Sequence, residues 1–400
     1  MKRTLLAVAL AASFAAVPAY AANEITIGMT VSRTGALNVD STTQLRGAEL
    51  WRDQVNARGG IKVGGKRYKV KFVEYDDQSQ GSRVQQLYTR LILQDKAEFL
   101  FSPYSSGLSA TAAVISEQYG RVMLVSGGAE EKIFQLGNKH LFQCITSAGH
   151  YLSGAIAELK EHDPHAKVAF VYSDDPFSKA VVTAAKKQAE EAGMTVAMDE
   201  SYPPSTTDFT AIINKVISSG ADAFLGGGHY ADGATLARQM HDQKADLKWV
   251  SILVAPDSEK FKTLADAAVG ITVPSQWEPQ VRYKPQFGPT VAQFTKEFHA
   301  KFKEDPDYHA ASGYVGGLLL EHAIEEAKSV DPEKVAAKLN AMDVTTFFGP
   351  NKFATDASDH GLQVEHPMVL AQWQKKGGEL VKEMVWPDAA ATAKVQYPLH

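Results

Sequence analysis

Residues 24–60, EITIGMTVSRTGALNVDSTTQLRGAELWRDQVNARGG, decide the reading of the fold. The apolar, β-branched run at 25–30 reads as a buried strand, Thr34-Gly35 form a turn, and Leu45, Ala48, Trp51 and Val55 then recur at helical spacing. Gly59-Gly60 supply the backbone freedom that ends a helix. Strand, turn, helix is the repeating unit of a parallel α/β sheet, because parallel neighbours need a crossover connection.

The unit recurs along the chain. Strand-like stretches at 68–75, 99–102 and 121–126 are each followed by a helix or a turn. A second series occupies 167–172, 194–198, 221–225, 249–253 and 270–273, with intervening helices such as the one carrying Phe209, Ile213 and Val216. The expectation is α/β, with two doubly wound, Rossmann-like sheets, one in each half. After Val273 the rhythm changes to three helices. Val291, Phe294, Phe298 and Phe302 line the first, Tyr314, Leu318 and Ile324 the second, and they are expected to pack back onto the first half. Segments 368–373 and 380–385 flank Lys375-Lys376-Gly377-Gly378 and read as a hairpin of two edge strands.

The chain's start reads as a leader. Lys2 and Arg3 precede an apolar run from Leu5 to Val17 that is too short to span a bilayer, and Ala19-Tyr20-Ala21 fits a signal-peptidase site. Residues 1–21 are therefore expected to be a signal peptide. Ala22, where a lipid-anchored product would need cysteine, points to a freely soluble periplasmic protein. About 379 residues remain, more than one core readily holds. The single cysteine, Cys144, excludes an intramolecular disulfide, and a net charge of −5 without a basic stripe gives no footprint for nucleic acid. Beyond the leader no apolar run is long enough to cross a membrane.

Ligands of open α/β sheets bind beyond the carboxyl ends of the strands, where loops enter helices. Four such turns carry chemistry. Phe101-Ser102-Pro103-Tyr104-Ser105-Ser106-Gly107 offers hydroxyls at a helix start, suited to an anionic group such as a carboxylate; Ser105 reads equally well as a simple N-cap. Ser126-Gly127-Gly128-Ala129 permits close backbone approach or serves only a tight turn. Asp174-Asp175-Pro176-Phe177 combines a helix cap, proline at the first helical position and an aromatic wall. Gly226-Gly227-Gly228-His229-Tyr230-Ala231 sets His229 and Tyr230 where a polar ligand would sit, and Trp277 reads as a stacking surface or as hinge packing.

These features together resemble the type I periplasmic binding proteins of branched-chain amino-acid and amide transport, relatives of the leucine/isoleucine/valine-binding protein. The resemblance rests on Thr34-Gly35-Ala36, Arg46-Gly47-Ala48-Glu49-Leu50, Asn56-Ala57-Arg58-Gly59-Gly60-Ile61, Val73-Glu74-Tyr75-Asp76-Asp77, the Tyr104-Ser105-Ser106 turn, Ala221-Asp222-Ala223-Phe224 and Phe348-Gly349-Pro350, in that order. It implies two lobes joined by three crossovers, 23–147 with 276–366 and 148–275 with 367–400, closing on a ligand. It also implies a non-enzymatic, monomeric receptor that needs no metal or cofactor and passes its solute to an inner-membrane ABC permease. The implied contacts are Ser105 and the loop Gly127 to Ala129 for a carboxylate, with Phe177 and His229 from the other lobe. The sequence departs from the amino-acid binders where an acid for the α-amino group is expected: Leu253-Val254-Ala255-Pro256 stands there. Ala129 replaces the usual threonine. An amide or an aromatic carboxylate is thus as fitting a ligand as an amino acid.

Two other classes compete. Gly226-x-Gly228-x-x-Ala231, with Asp246 beyond it, matches a dinucleotide fingerprint, although not in the first strand-helix unit. A sensor that serves a signalling receptor would share the same site. No G-x-S-x-G elbow occurs, Gly64-Gly65-Lys66 lacks phosphate-loop spacing, and Pro164 within His162-Asp163-Pro164-His165 argues for a surface loop rather than a metal site.

Overall fold

The computed structural model describes residues 23–399. The expected signal peptide, 1–21, lies outside the described residues. The first half builds β1 (Glu24–Val31), α1 (Asn38–Ala57), β2 (Ile61–Val63), β3 (Lys66–Asp76), α2 (Gly81–Leu93), β4 (Phe99–Phe101), α3 (Ser106–Gln118), β5 (Met123–Val125) and β6 (Leu141–Gln143). These strands form one sheet in the order β2-β3-β1-β4-β5-β6, parallel except for β2.

The second half builds α4 (Ser153–His162), β7 (Lys167–Ser173), α5 (Pro176–Glu191), β8 (Thr195–Tyr202), α6 (Thr210–Ser218), β9 (Ala223–Gly227), α7 (Tyr230–Asp242), β10 (Trp249–Ile252) and β11 (Thr272–Ser275). Then come α8 (Val291–Phe302), α9 (Tyr308–Ala327), α10 (Pro332–Asn340), the small pair β12 (Asp343–Thr345) and β13 (Pro350–Lys352), and the hairpin β14 (Val369–Lys376) and β15 (Glu379–Trp386). The second sheet runs β15-β14-β11-β10-β9-β7-β8. Only β15 of the hairpin is an edge: β14 pairs antiparallel with β11 along 369–372 and is interior, which corrects the expectation of two edge strands.

The helices after β11 do return to the first sheet. Every residue of α9 from 308 to 320 is buried, and α9 lies directly against α1. Glycines permit the approach: a Cβ on Gly47 would fall 1.8 Å from the Ala310 carbonyl oxygen, and one on Gly313 would fall 2.0 Å from that of Gln44. Trp51 fills the space beside them, fully buried, its Nε1–H donating to Glu321 at 2.9 Å. The start of α9 is thereby held beside the ends of β4 and β5.

The chain passes between the sheets three times, after β6, after β11 and before β14, and the three passages are tied together. Thr146 donates its N–H to Gln276 Oε1 (2.6 Å), and Gln276 Nε2 donates back to the Thr146 carbonyl (3.3 Å) and to the Tyr151 hydroxyl (2.6 Å). The Thr146 hydroxyl lies 2.7 Å from the His366 carbonyl and 2.9 Å from His366 Nδ1. His366 Nε2 donates to the Phe348 carbonyl at 3.0 Å. Burial pushes the His366 imidazole down to a pKa of about 4, so it is neutral.

Candidate functional site

The carboxyl ends of both sheets face one another across a narrow cavity. Parallel strands place their loops at one end by construction, which is why sequence-distant turns meet here. Tyr104, Ser105, Ser106, Gly127 and Ala129 reach it from the first sheet, and Phe177 and His229 from the second.

Ser105 is the N-cap of α3: its Oγ accepts from the Leu108 N–H at 3.3 Å. The cap reading is therefore realised, and Ser105 also lines the cavity. Its φ of +81° is a left-handed value rarely tolerated outside glycine, the kind of local strain that surrounding structure must hold in place. The loop after β5 is engaged differently from what the resemblance implies. The Gly127 N–H already donates to Ser102 Oγ (3.2 Å) and the Ala129 N–H to Ser106 Oγ (3.1 Å), so these two residues form wall with their amides satisfied.

Across the cavity, Asp175 caps α5 by accepting from the Ser178 N–H at 3.1 Å, with Pro176 at the first helical position. The same carboxylate sits 3.8 Å from His229 Nε2. Burial opposes charge on both, yet their mutual attraction prevails: His229 is raised to about 9 and Asp175 lowered to about 2. His229 Nδ1 lies 2.9 Å from the Tyr104 hydroxyl, a bond between the two sheets' loops. A second one joins the Tyr230 N–H to Asp40 Oδ2 at 3.3 Å. Asp232 completes the His229 turn, accepting from its N–H (2.8 Å) and from the Tyr202 hydroxyl (2.6 Å).

Three of the residues singled out from sequence do not line the cavity. Trp277 is fully buried, its Nε1–H donating to the Phe347 carbonyl at 3.1 Å and its ring edge-on to Phe294 and Phe347; its hinge-packing reading is the realised one. Gly128 turns away because its backbone packs on α3, where a Cβ would meet Ser109 at 2.7 Å, and its carbonyl accepts from Gln143. Tyr230 begins α7 and contributes its amide to Asp40, with its ring half-buried among the second sheet's helices.

Ser126, at the start of the turn singled out from sequence, also lines the cavity; sequence reasoning missed Ile145, Tyr151, Tyr308 and His309, which line it too. His309 is 3% exposed, stacks on Tyr308 (ring centroids 3.9 Å apart) and meets Tyr104 edge-on at 5.2 Å. Asp307 caps α9 through the His309 and Ala310 N–H groups and approaches His309 Nδ1 to 3.6 Å, an ion-pair distance too long for a hydrogen bond. The signal was legible in principle, since an aspartate just ahead of a long helical pattern marks a helix start.

An acid does follow β10, one residue beyond the tetrad in which none was found. Asp257 ends a single helical turn at Ala255–Asp257 and is fully buried. Its Oδ2 accepts from the Tyr308 N–H (3.1 Å), and its Oδ1 lies 3.6 Å from the Lys382 ammonium, which also pairs with buried Glu278 at 3.1 Å. Burial next to Asp257 raises Glu278 well above the usual carboxylate range. Asp257, Asp307 and His309 each bring a potential ligand atom within 4.8 Å of the others, but Lys382 already provides the positive charge there.

The sequence pattern of the family described as periplasmic binding protein matches residues 24–379. The chain belongs to this family. It is similar to the Leu/Ile/Val-binding protein homolog 7 of Brucella melitensis, at 24% identity over an alignment covering 100% of both chains. Its fold is similar to that of the LivJ substrate-binding protein from Streptococcus pneumoniae in complex with isoleucine (TM-score 0.76, 22% identity, 91% of this chain and 100% of that one). It is equally similar to an R. palustris solute-binding protein in complex with benzoate (TM-score 0.75, 19% identity, 94% and 98%). The type I periplasmic binding protein fold with its two lobes is thus the fold of this protein. The dinucleotide reading has no support in the geometry. Asp246 precedes β10 at the amino ends of the strands, lining a groove on the far side from Gly228.

Proposed function

We propose that this chain is the extracytoplasmic solute receptor of an ABC importer, binding a small organic carboxylate, amide or amino acid in the cavity between its lobes. The lobes are 23–147 with 276–366 and 148–275 with 367–400, the leader 1–21 is removed, and the mature protein works in the periplasm without catalysing a reaction. The observation that carries the reading is the cavity walled from both sides and bridged by Tyr104 and His229. Contacts of one ligand to both lobes favour the closed arrangement over an open one, with the Thr146, Gln276 and His366 passages as the hinge. An inner-membrane permease then recognises the closed shape.

Ser105 holds the ligand's polar end at the start of α3, and Phe177 covers its apolar body. A thermal-shift screen of residues 22–400 against carboxylates, amides, amino acids and NAD tests the reading, since a ligand of the folded state raises the melting temperature. The expected result is a shift with one of the first three classes, lost or reduced in Ser105→Ala. Calorimetry on that variant should show affinity weaker by about 1.5–3 kcal/mol, the range for a hydrogen bond to a charged group. A shift with NAD alone overturns the proposal.

A further inference from the structure

We infer that the cargo of this receptor is an organic anion without a free amino group, and that His309 holds its anionic oxygen. The inference rests on the receptor role proposed above and names the chemistry of the same cavity. Among the described residues, the cavity is lined by two imidazoles and by no aspartate, glutamate, lysine or arginine. Both nitrogens of His309 are buried without a hydrogen-bond partner, although buried polar groups are otherwise nearly always paired. An unpaired donor at a cavity wall is a group whose partner is the ligand.

The chemistry of that donor follows from its neighbours. Asp307 at 3.6 Å faces Nδ1, so Nε2 is the nitrogen left for the ligand. The groups facing the ring are Asp307 on its own helix, Asp40 from α1, Asp257 from beyond β10 and the tyrosines Tyr104 and Tyr308. Burial disfavours the imidazolium, but the three carboxylates outweigh it and the group is raised above its ordinary value. The carboxylates thus favour the protonated ring of His309, whose Nε2–H would be a donor at the cavity wall, and His229 across the cavity is held in its charged form by Asp175. Two imidazole edges and no carboxylate at the cavity wall suit a ligand's anionic oxygen and leave an ammonium without a direct acceptor.

An amino group would also lack a counter-ion. Asp257 does not line the cavity: its Oδ2 accepts from the Tyr308 amide and its Oδ1 faces the Lys382 ammonium at 3.6 Å. Asp175 is committed to the cap of α5 and to His229, Asp232 to Tyr202 and His229, and Asp40 to Tyr230. The cargo class thus parts from the amino acids in the names of the Brucella relatives.

Calorimetry with matched probes tests this: 4-methylpentanoate against L-leucine, 3-phenylpropanoate against L-phenylalanine, and benzoate against benzamide. They are titrated into wild type, His309→Phe and Ser105→Ala. The expected result is that an acid binds more tightly than its amino or amide counterpart by a factor of about 100. His309→Phe should lower acid affinity by about 10- to 100-fold, the effect of one hydrogen bond to a charged group, and leave benzamide unaffected. If His309→Phe binds the acids within about twofold of wild type while Ser105→Ala is weakened, His309 is no part of the site and the receptor role stands. If L-leucine or L-phenylalanine binds more tightly than its deaminated partner, the cargo class is overturned and the receptor role again stands. If wild type binds none of the six, both are overturned.

Discussion

Two buried histidines of this protein differ in every respect that matters. His366, at the crossovers, has Nε2 bonded to the Phe348 carbonyl and Nδ1 beside the Thr146 hydroxyl, and burial holds it neutral. His309, at the cavity, has neither nitrogen bonded and is pushed toward its charged form by the carboxylates around it. Burial alone therefore says little about the role of a histidine. A satisfied, neutral ring joins segments of structure, whereas an unsatisfied, charged ring beside a cavity is set up for a partner from outside.

The largest effect expected from this contrast is on stability at the crossovers. Replacing His366 by alanine removes a fully enclosed ring and orphans the Phe348 carbonyl, while the Thr146 hydroxyl keeps only the His366 carbonyl. A loss of about 3 kcal/mol is expected, combining a cavity with an unpaired buried acceptor, and urea denaturation measures it. A loss under about 1 kcal/mol would break the comparison by showing that the knot of three passages is dispensable.

The next effect is a pH dependence of stability. His366 has a folded value of about 4 against about 6.5 unfolded, so below pH 6.5 the unfolded chain takes up a proton that the folded one refuses. Stability falls as pH drops through that window, by up to roughly 3 kcal/mol from this group. The His229–Asp175 pair works the other way. Its histidine part, with a folded value of about 9, is fully stabilising below pH 6.5 and is lost as pH rises through 9. Its aspartate part is present above pH 4 and lost as pH falls through about 2. Urea melts of wild type and His366→Gln at pH 6.5 and 4.5 isolate the first term, since only wild type carries it. Equal slopes in the two proteins would contradict the neutral state of His366.

The same contrast explains which parts of the molecule were legible in the sequence. The parallel units were, because strand and helix periods alternate and Gly59-Gly60, Pro176 and Ser105 punctuate them locally. The return of the three helices to the first sheet was also legible, from the apolar stripe that needed a surface to cover. β2, β6 and the β12–β13 pair were not; β4 and β5 are equally short but were legible because an apolar run leads straight into the turns at 102–107 and 126–129. The interior place of β14 depends on pairing with β11, almost a hundred residues earlier in the chain. In the site, residues in turns after strands were found, and Tyr151, Tyr308 and His309 were not. They reach the cavity from a crossover and from a helix start that follows no strand. Trp277 looked like a ligand surface because one aromatic beside a glycine-poor turn gives no sign of whether Phe294 and Phe347 will enclose it.

The smallest effect is the sharpest separator of the two histidines. His309→Phe preserves the ring that stacks on Tyr308 and meets Tyr104 edge-on, and it leaves the Asp307 cap intact, because that cap uses backbone N–H groups. What is lost is an ion pair at 3.6 Å; what is relieved is the burial of two unpaired nitrogens. These terms oppose each other, so unfolding free energy without ligand should be unchanged or higher by up to about 1 kcal/mol. The same urea experiment reads it. A loss above about 2 kcal/mol would place His309 with His366 as a structural ring and remove the contrast. A stable variant with weakened anion binding would show that folding tolerates an unpaired histidine here because the ligand completes its bonding.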